Sequence, residues 1–254
     1  MMKSINVFRL TVCLMLWVFG VQATFALADN KVYLTSLDWP PYTGKTLPDQ
    51  GASVAVAKAV FAEAGLELVV DFYPWKRAVN LAKNDDKYLG YFPEYYAAEL
   101  EEDFIFSEPM GSGPLGLAEK KSDPVVWKSL EDLKAYKIGT VSGYVNTTEF
   151  DQMAEAGTIK VDSAGDDVKN LLKLNAGRVK LAVIDKYVMS YLLDTDPSLK
   201  KVKGKLVFNK TLLEDKKLYV CFRKSEKGKE IQQKFNEALK KVDVSAIMAK
   251  YLSQ

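Results

Sequence analysis

The stretch GASVAVAKAVFAEAGLELVVDF, residues 51–72, passes from one hydrophobic periodicity to another. Val54, Ala57, Val60, Phe61 and Ala64 recur at helical spacing, and Gly65 supplies the stop. LELVVDF then reads as a strand, and KVYLTSL (residues 31–37) upstream reads as another. WKRAVNLAKN adds a second helix, with Ala78, Leu81 and Ala82 on one face, and KYLGYF a third strand. The result is a βαβαβ unit, which predicts an α/β chain with mainly parallel sheets.

Downstream, FIFSEPMGSGPLGLAEKK carries Gly111, Gly113, Pro114 and Gly116 and reads as a connection. A second series starts near Trp127: AYKIGTV (strand), NTTEFDQMAEAG (helix), TIKVD (strand), DDVKNLLKLNAGR (helix), KLAVID (strand) and KYVMSYLL (helix). KLYVCFRK is one more strand. Ile231, Phe235, Ala238, Leu239 and Val242 make a helical apolar face, and helix VSAIMAKYL follows. Two α/β units with a short tail predict two lobes around a cleft, a usual place for a small-molecule site.

At the N-terminus, Lys3 and Arg9 flank the start of the apolar run LTVCLMLWVFGV, and Ala26-Leu27-Ala28 offers small residues where a signal peptidase reads. A signal peptide over residues 1–28, cleaved before Asp29, is expected, leaving an exported, soluble chain. Cys13 lies inside the apolar run behind Val12 and not at a cleavage point, so no lipid anchor is expected. Loss of the leader removes two positive charges and no negative ones, which leaves the charges balanced. That balance disfavours nucleic acid and polyanionic surfaces as partners. Cys221 would then be the lone cysteine, so no internal disulfide is expected.

The sequence contains no histidine. Ser-His-Asp and Cys-His nucleophile arrangements and His-ligated zinc are thereby excluded, while carboxylate-only catalysis survives. No cofactor or metal is expected.

Three places could hold a small solute. In DWPPYTG (residues 38–44), Pro40 and Pro41 end strand pairing and lock the direction of Trp39 and Tyr42, whose rings either complete a core edge or form a stacking wall. In TVSGYVNTTEF, Ser142, Gly143, Tyr144, Asn146 and Thr147 crowd a helix start, which reads as an anion site or as N-capping by Asn146 or Thr147. Asp185, at the end of KLAVID, reads as an N-cap for the next helix.

An export signal, PPY after a strand, the glycine-led helix GASVAVAKAV, FSEP before a glycine-rich crossover, SLEDLKAYKIGTVSG and LAVIDKYVMSYLL occur in that order. The chain thus resembles the periplasmic solute-binding proteins of the polar amino acid type (extracellular solute-binding protein family 3). The resemblance implies a type II two-lobed flytrap with two crossover strands: residues 29–113 with 216–254 as one lobe, 114–215 as the other. It also implies a monomer in the periplasm, a small polar solute as ligand, an inner-membrane ABC permease as partner, and no catalysis. Trp39, Tyr42, Trp75, Arg77, Glu94, Tyr95, Ser142, Gly143, Tyr144, Asn146, Thr147 and Asp185 are the candidate ligand-binding residues, with Asp185 matching the family's acid for a ligand ammonium.

One departure stands out. The family's arginine for an α-carboxylate falls at Leu100, within a stretch from Glu94 to Asp103 that holds no base. Glu99, Glu101, Glu102 and Asp103 read as a solvated acidic face. Either Arg77 replaces the missing base, or it is a surface residue paired with Asp71 or Glu94. A third possibility is a ligand without that carboxylate, with Glu94 and Asp185 facing a cationic group. An enzyme with Glu94 and Asp185 as acid and base, and a ligand sensor for a membrane receptor, are the competing functions.

Overall fold

A computed structural model describes residues 30–252; the expected signal peptide lies outside the described residues. The elements in chain order are β1 (Lys31–Ser36), α1 (Ala52–Glu63), β2 (Glu67–Phe72), α2 (Trp75–Asn84), β3 (Gly90–Glu94), β4 (Phe104–Phe106), β5 (Ser112–Lys120), α3 (Leu130–Leu133), β6 (Lys137–Val141) and α4 (Thr148–Glu155). They continue with β7 (Lys160–Ala164), α5 (Asp167–Asn175), β8 (Leu181–Asp185), α6 (Lys186–Thr195), β9 (Leu206–Lys217), β10 (Tyr219–Arg223), α7 (Glu226–Leu239) and α8 (Val244–Leu252).

The strands form two mixed five-stranded sheets, ordered β2-β1-β3-β10-β4 and β7-β6-β8-β5-β9. In each, three strands run parallel: β1 with β2 and β3, and β6 with β7 and β8. The fourth strand in each order runs against its neighbours, β10 against β3 and β4, and β5 against β8 and β9. The chain passes between the sheets twice, at Ser107–Gly111 and at Leu218. This is an α/β fold of two lobes.

The C-terminal part returns to the first sheet because its apolar face fits there. Phe61 of α1 packs against Phe222 of β10 and Phe235 of α7, with centroids 6.4 and 5.1 Å away, and all three rings are fully buried.

The glycine-rich stretch read as a connection is instead largely β5, nine residues long. The twelve-residue β9, to which it pairs, was not anticipated. Glu99, Glu101 and Glu102 lie exposed on the 3-10 turn Ala98–Glu102, as a solvated charge run should, and Asp103 pairs with Lys83.

Candidate functional site

Parallel strands of one lobe end facing the other lobe, so the residues just past their carboxyl ends meet in one cleft, as expected for open α/β sheets. Trp39 and Tyr42 follow β1, Trp75 follows β2, and Glu94 and Tyr95 lie at the end of β3. From the second sheet come Ser142–Tyr144 after β6, Asp167 after β7 and Asp185 ending β8.

The proline knuckle closes on itself, with backbone bonds in both directions between Trp39 and Thr43. It holds the Trp39 and Tyr42 rings stacked, centroids 4.6 Å apart, with Tyr95 edge-on to Trp39. Both rings are buried, as a core edge would be, and Trp39 also lines a cavity between the lobes.

Side-chain hydrogen bonds run from one lobe to the other. The Tyr42 hydroxyl donates to Asp185 Oδ2 at 3.1 Å, and the Trp75 indole N–H donates to the Gly143 carbonyl at 2.9 Å. Tyr144 packs edge-on against Trp75 and donates to Asp167 at 3.4 Å. Between them Trp39, Trp75, Glu94, Tyr95, Tyr144 and Val145 enclose a cavity of about 30 Å³, room for about one water. An amino-acid-sized solute enters only when the walls part.

Three carboxyls at these strand ends are buried beside mostly neutral donors, and Glu94 is the one in the cavity wall. Glu94 accepts from the Tyr95 N–H at 2.8 Å and the Tyr91 hydroxyl at 3.1 Å; burial nonetheless raises it to about 8. Asp167 is raised to about 7 by burial, against the Tyr144 hydroxyl and the indole N–H of Trp39, which also faces it. Asp185 reaches about 7 by burial too, although it caps α6 by accepting from the Tyr187 and Val188 N–H groups. The cap read from the sequence and a place in the cleft coincide at Asp185. Among the described residues no group of acids, cysteines or histidines is placed to hold a metal ion.

The structure does not bring every candidate into the cleft. Arg77 is exposed, with its guanidinium 5.1 Å from the centre of the Tyr73 ring, and Asp71 pairs with Lys87 instead. Thr147 caps α4 through the Phe150 N–H, while both donors of Asn146 bond to Asp151. The N-cap alternative is thus formed by Thr147, and Asp151 in the first turn of α4 holds Asn146. Ser142 is half-buried, and its backbone N–H bonds to Ala164. As an ordinary N-cap, Thr147 should yield a modest effect: Thr147→Ala should cost about 1 kcal/mol, a fall of about 2–4 °C in a thermal melt.

Two residues escaped the sequence reading. Asp167 follows an obvious capping aspartate, Asp166, and hides behind it. Lys216 sits in the charge run EDKK, yet it is only 5% exposed, with Nζ 5.4 Å above the Tyr95 ring and 3.6 Å from Glu214. The signal for Lys216 was its position just before the second crossing, beside Gly113 in the register of β5 and β9.

No protein-family model matches the chain, and no curated protein matches its sequence. Solved structures share its fold. An amino acid ABC transporter substrate-binding protein from Streptococcus pneumoniae, bound to L-arginine, is 20% identical with a TM-score of 0.68, over 88% of this chain and 93% of that one. A histidine kinase sensor domain with similarity to periplasmic binding proteins is 18% identical, TM-score 0.72, over 87% and 96%. An ancestral amino acid-binding protein, a precursor of cyclohexadienyl dehydratase, is 18% identical, TM-score 0.68, over 88% and 96%. The two-lobed periplasmic-binding-protein fold anticipated from the sequence is the fold of this chain.

Proposed function

We propose that this chain is a periplasmic solute-binding protein, with residues 29–113 plus 216–254 and residues 114–215 as its lobes. It captures a small polar solute, an amino acid or an amino-acid-like amine, by hinge closure and delivers it to an inner-membrane ABC importer. The observation that carries this reading is the pair of bonds between lobes, Tyr42 to Asp185 and Trp75 to Gly143, flanking an aromatic cavity. A solute touching both walls stabilises the closed form by its differential affinity for it, and the crossings at Ser107–Gly111 and Leu218 are where the backbone can flex. The arginine-bound transporter protein of the same fold supports the solute class. No helix among the described residues is long and apolar enough to cross a membrane.

Thermal melts of refolded protein against amino acids, amines, organic acids, sugars and peptides test the reading. A solute present at one hundred times its dissociation constant adds about 2.7 kcal/mol, which shifts the midpoint by several degrees. If nothing in the panel moves it, the receptor reading loses its support.

One observation favours a second reading. A carboxyl at about 8, such as Glu94, is suited to act as a general acid at neutral pH, with Asp185 as its partner base. Chromatography of each stabilising solute after long incubation separates the two, because a receptor returns its solute unchanged.

A further inference from the structure

We infer that the solute taken by this cleft is a dicationic amine, two ammonium groups joined by an alkyl spacer. The inference rests on the receptor reading above and names its substrate class.

Charge balance is the first ground. Glu94, Asp167 and Asp185 are 5, 7 and 2% exposed, and the buried cation Lys216 faces Glu94. Lys216 is shared with Glu214, at 3.6 Å. At least two carboxylates of the cleft are thus left with neutral partners, tyrosine hydroxyls, an indole N–H and backbone N–H groups. A buried charge without a counter-charge is costly and is resolved by a proton or a bound cation. Two cationic groups supply the balance.

The second ground is a hydroxyl. Tyr95 is 7% exposed, lines the cavity, and its hydroxyl has no hydrogen-bond partner among the described residues. It lies within the electrostatic reach of Asp185, Asp167 and Glu94 together. An ammonium N–H donates to an oxygen placed there, and that bond completes the site.

Shape is the third. The acids come from different strand ends on both lobes and do not converge on a point that could hold a metal ion. Trp39, Trp75 and Tyr144 line the cavity beside Glu94, and aromatic rings accept methylenes and attract ammonium groups. Of the bases near the cleft, Arg77 is exposed and turned to Tyr73, Lys216 already faces Glu214 and Glu94, and Lys76 runs along Gly143 at the exposed rim, away from the buried acids' own hydrogen-bond partners.

Titration calorimetry on the refolded protein tests this with pairs that differ only by a carboxylate: 1,5-diaminopentane against lysine, and 1,4-diaminobutane against ornithine. 1-Aminopentane serves as the single-charge control. The expected result is that each diamine binds at least tenfold more tightly than its parent amino acid and than the monoamine. Asp167→Asn should weaken the diamine at least tenfold, and Lys216→Met should leave it unchanged or tighter, since a like charge is removed. If lysine or ornithine binds as tightly as its diamine, the dication is wrong and the receptor reading stands. If neither they, the monoamine nor any solute of the wider panel binds, both fall.

Discussion

Gly113→Ala should hold the two lobes apart while leaving each lobe folded. Gly113 lies in β5 directly beneath the bond between the lobes. A Cβ built there falls 2.2 Å from the Tyr42 hydroxyl oxygen and 2.3 Å from Asp185 Oδ2. Both distances are far inside van der Waals contact, so Tyr42 and Asp185 must part to admit one methyl group. The backbone itself accepts alanine, because Gly113 pairs in ordinary register with Lys216 and lies outside the left-handed region. The strain therefore falls on the closed form. Small-angle scattering should show a larger radius of gyration than wild type in the presence of a stabilising solute, and the affinity for that solute should fall at least about tenfold, or 1.4 kcal/mol. Tyr42→Phe separates the two parts of this effect: it removes the hydroxyl bond without adding bulk, so its loss of affinity should be the smaller. An unchanged radius and affinity in Gly113→Ala would mean that the contact between Tyr42 and Asp185 plays no part in closure.

Why Gly113 and its surroundings were hard to read from the sequence has a physical answer. Helix α1 was legible because Val54, Ala57, Val60 and Phe61 of its buried face recur at helical spacing and Gly65 follows its end. Strand β5 offers no such pattern. Its Gly113, Pro114 and Gly116 are the residues of a loop, and they are tolerated because the register with β9 shifts at Leu115 and Gly116, where the ladder already yields. Strand β9 is an edge strand, and edge strands carry charge to avoid pairing with other chains. That is why EDKK looked like surface, and why Lys216, buried between two exposed neighbours in the sheet's alternation, was not separated from Lys217. The cleft was legible where chemistry and local structure coincide. Trp39 and Tyr42 are fixed by their prolines, and Asp185 is both cap and acid. It was illegible where the third dimension alone sets the role, as at Arg77, whose helix phase directs it to Tyr73, and at Asp167.

The same buried acids make stability depend on pH in an unusual sense. Glu94 at about 8, and Asp167 and Asp185 at about 7, each hold a proton in the folded state that the unfolded chain releases near pH 4. Between about pH 4 and pH 8 the folded state therefore binds more protons, and stability must fall as pH rises. The contribution is whole below the unfolded values and is lost as pH passes through 7 to 8. Acids with lowered values, such as Asp71 beside Lys87 and Asp162 beside Lys173, act in a different window, losing their stabilisation below about pH 4. Melting between pH 5 and pH 8 at constant ionic strength thus isolates the raised set. Each pH unit over which one such group differs between the two states is worth about 1.4 kcal/mol, and 1 kcal/mol moves the midpoint of a chain this size by about 2–4 °C. A clear fall in the midpoint is expected from pH 5 to pH 8. Glu94→Gln, which keeps the shape and removes the charge, should flatten the upper part of that fall. A bound dication should abolish much of it, since it supplies at pH 8 the counter-charge that a proton supplies at pH 5; 1,5-diaminopentane should accordingly raise the midpoint more at pH 8 than at pH 5. A midpoint that is level or climbs from pH 5 to pH 8 would show that these carboxyls are ionised and compensated within the folded protein, and the charge argument for the cleft would go with it.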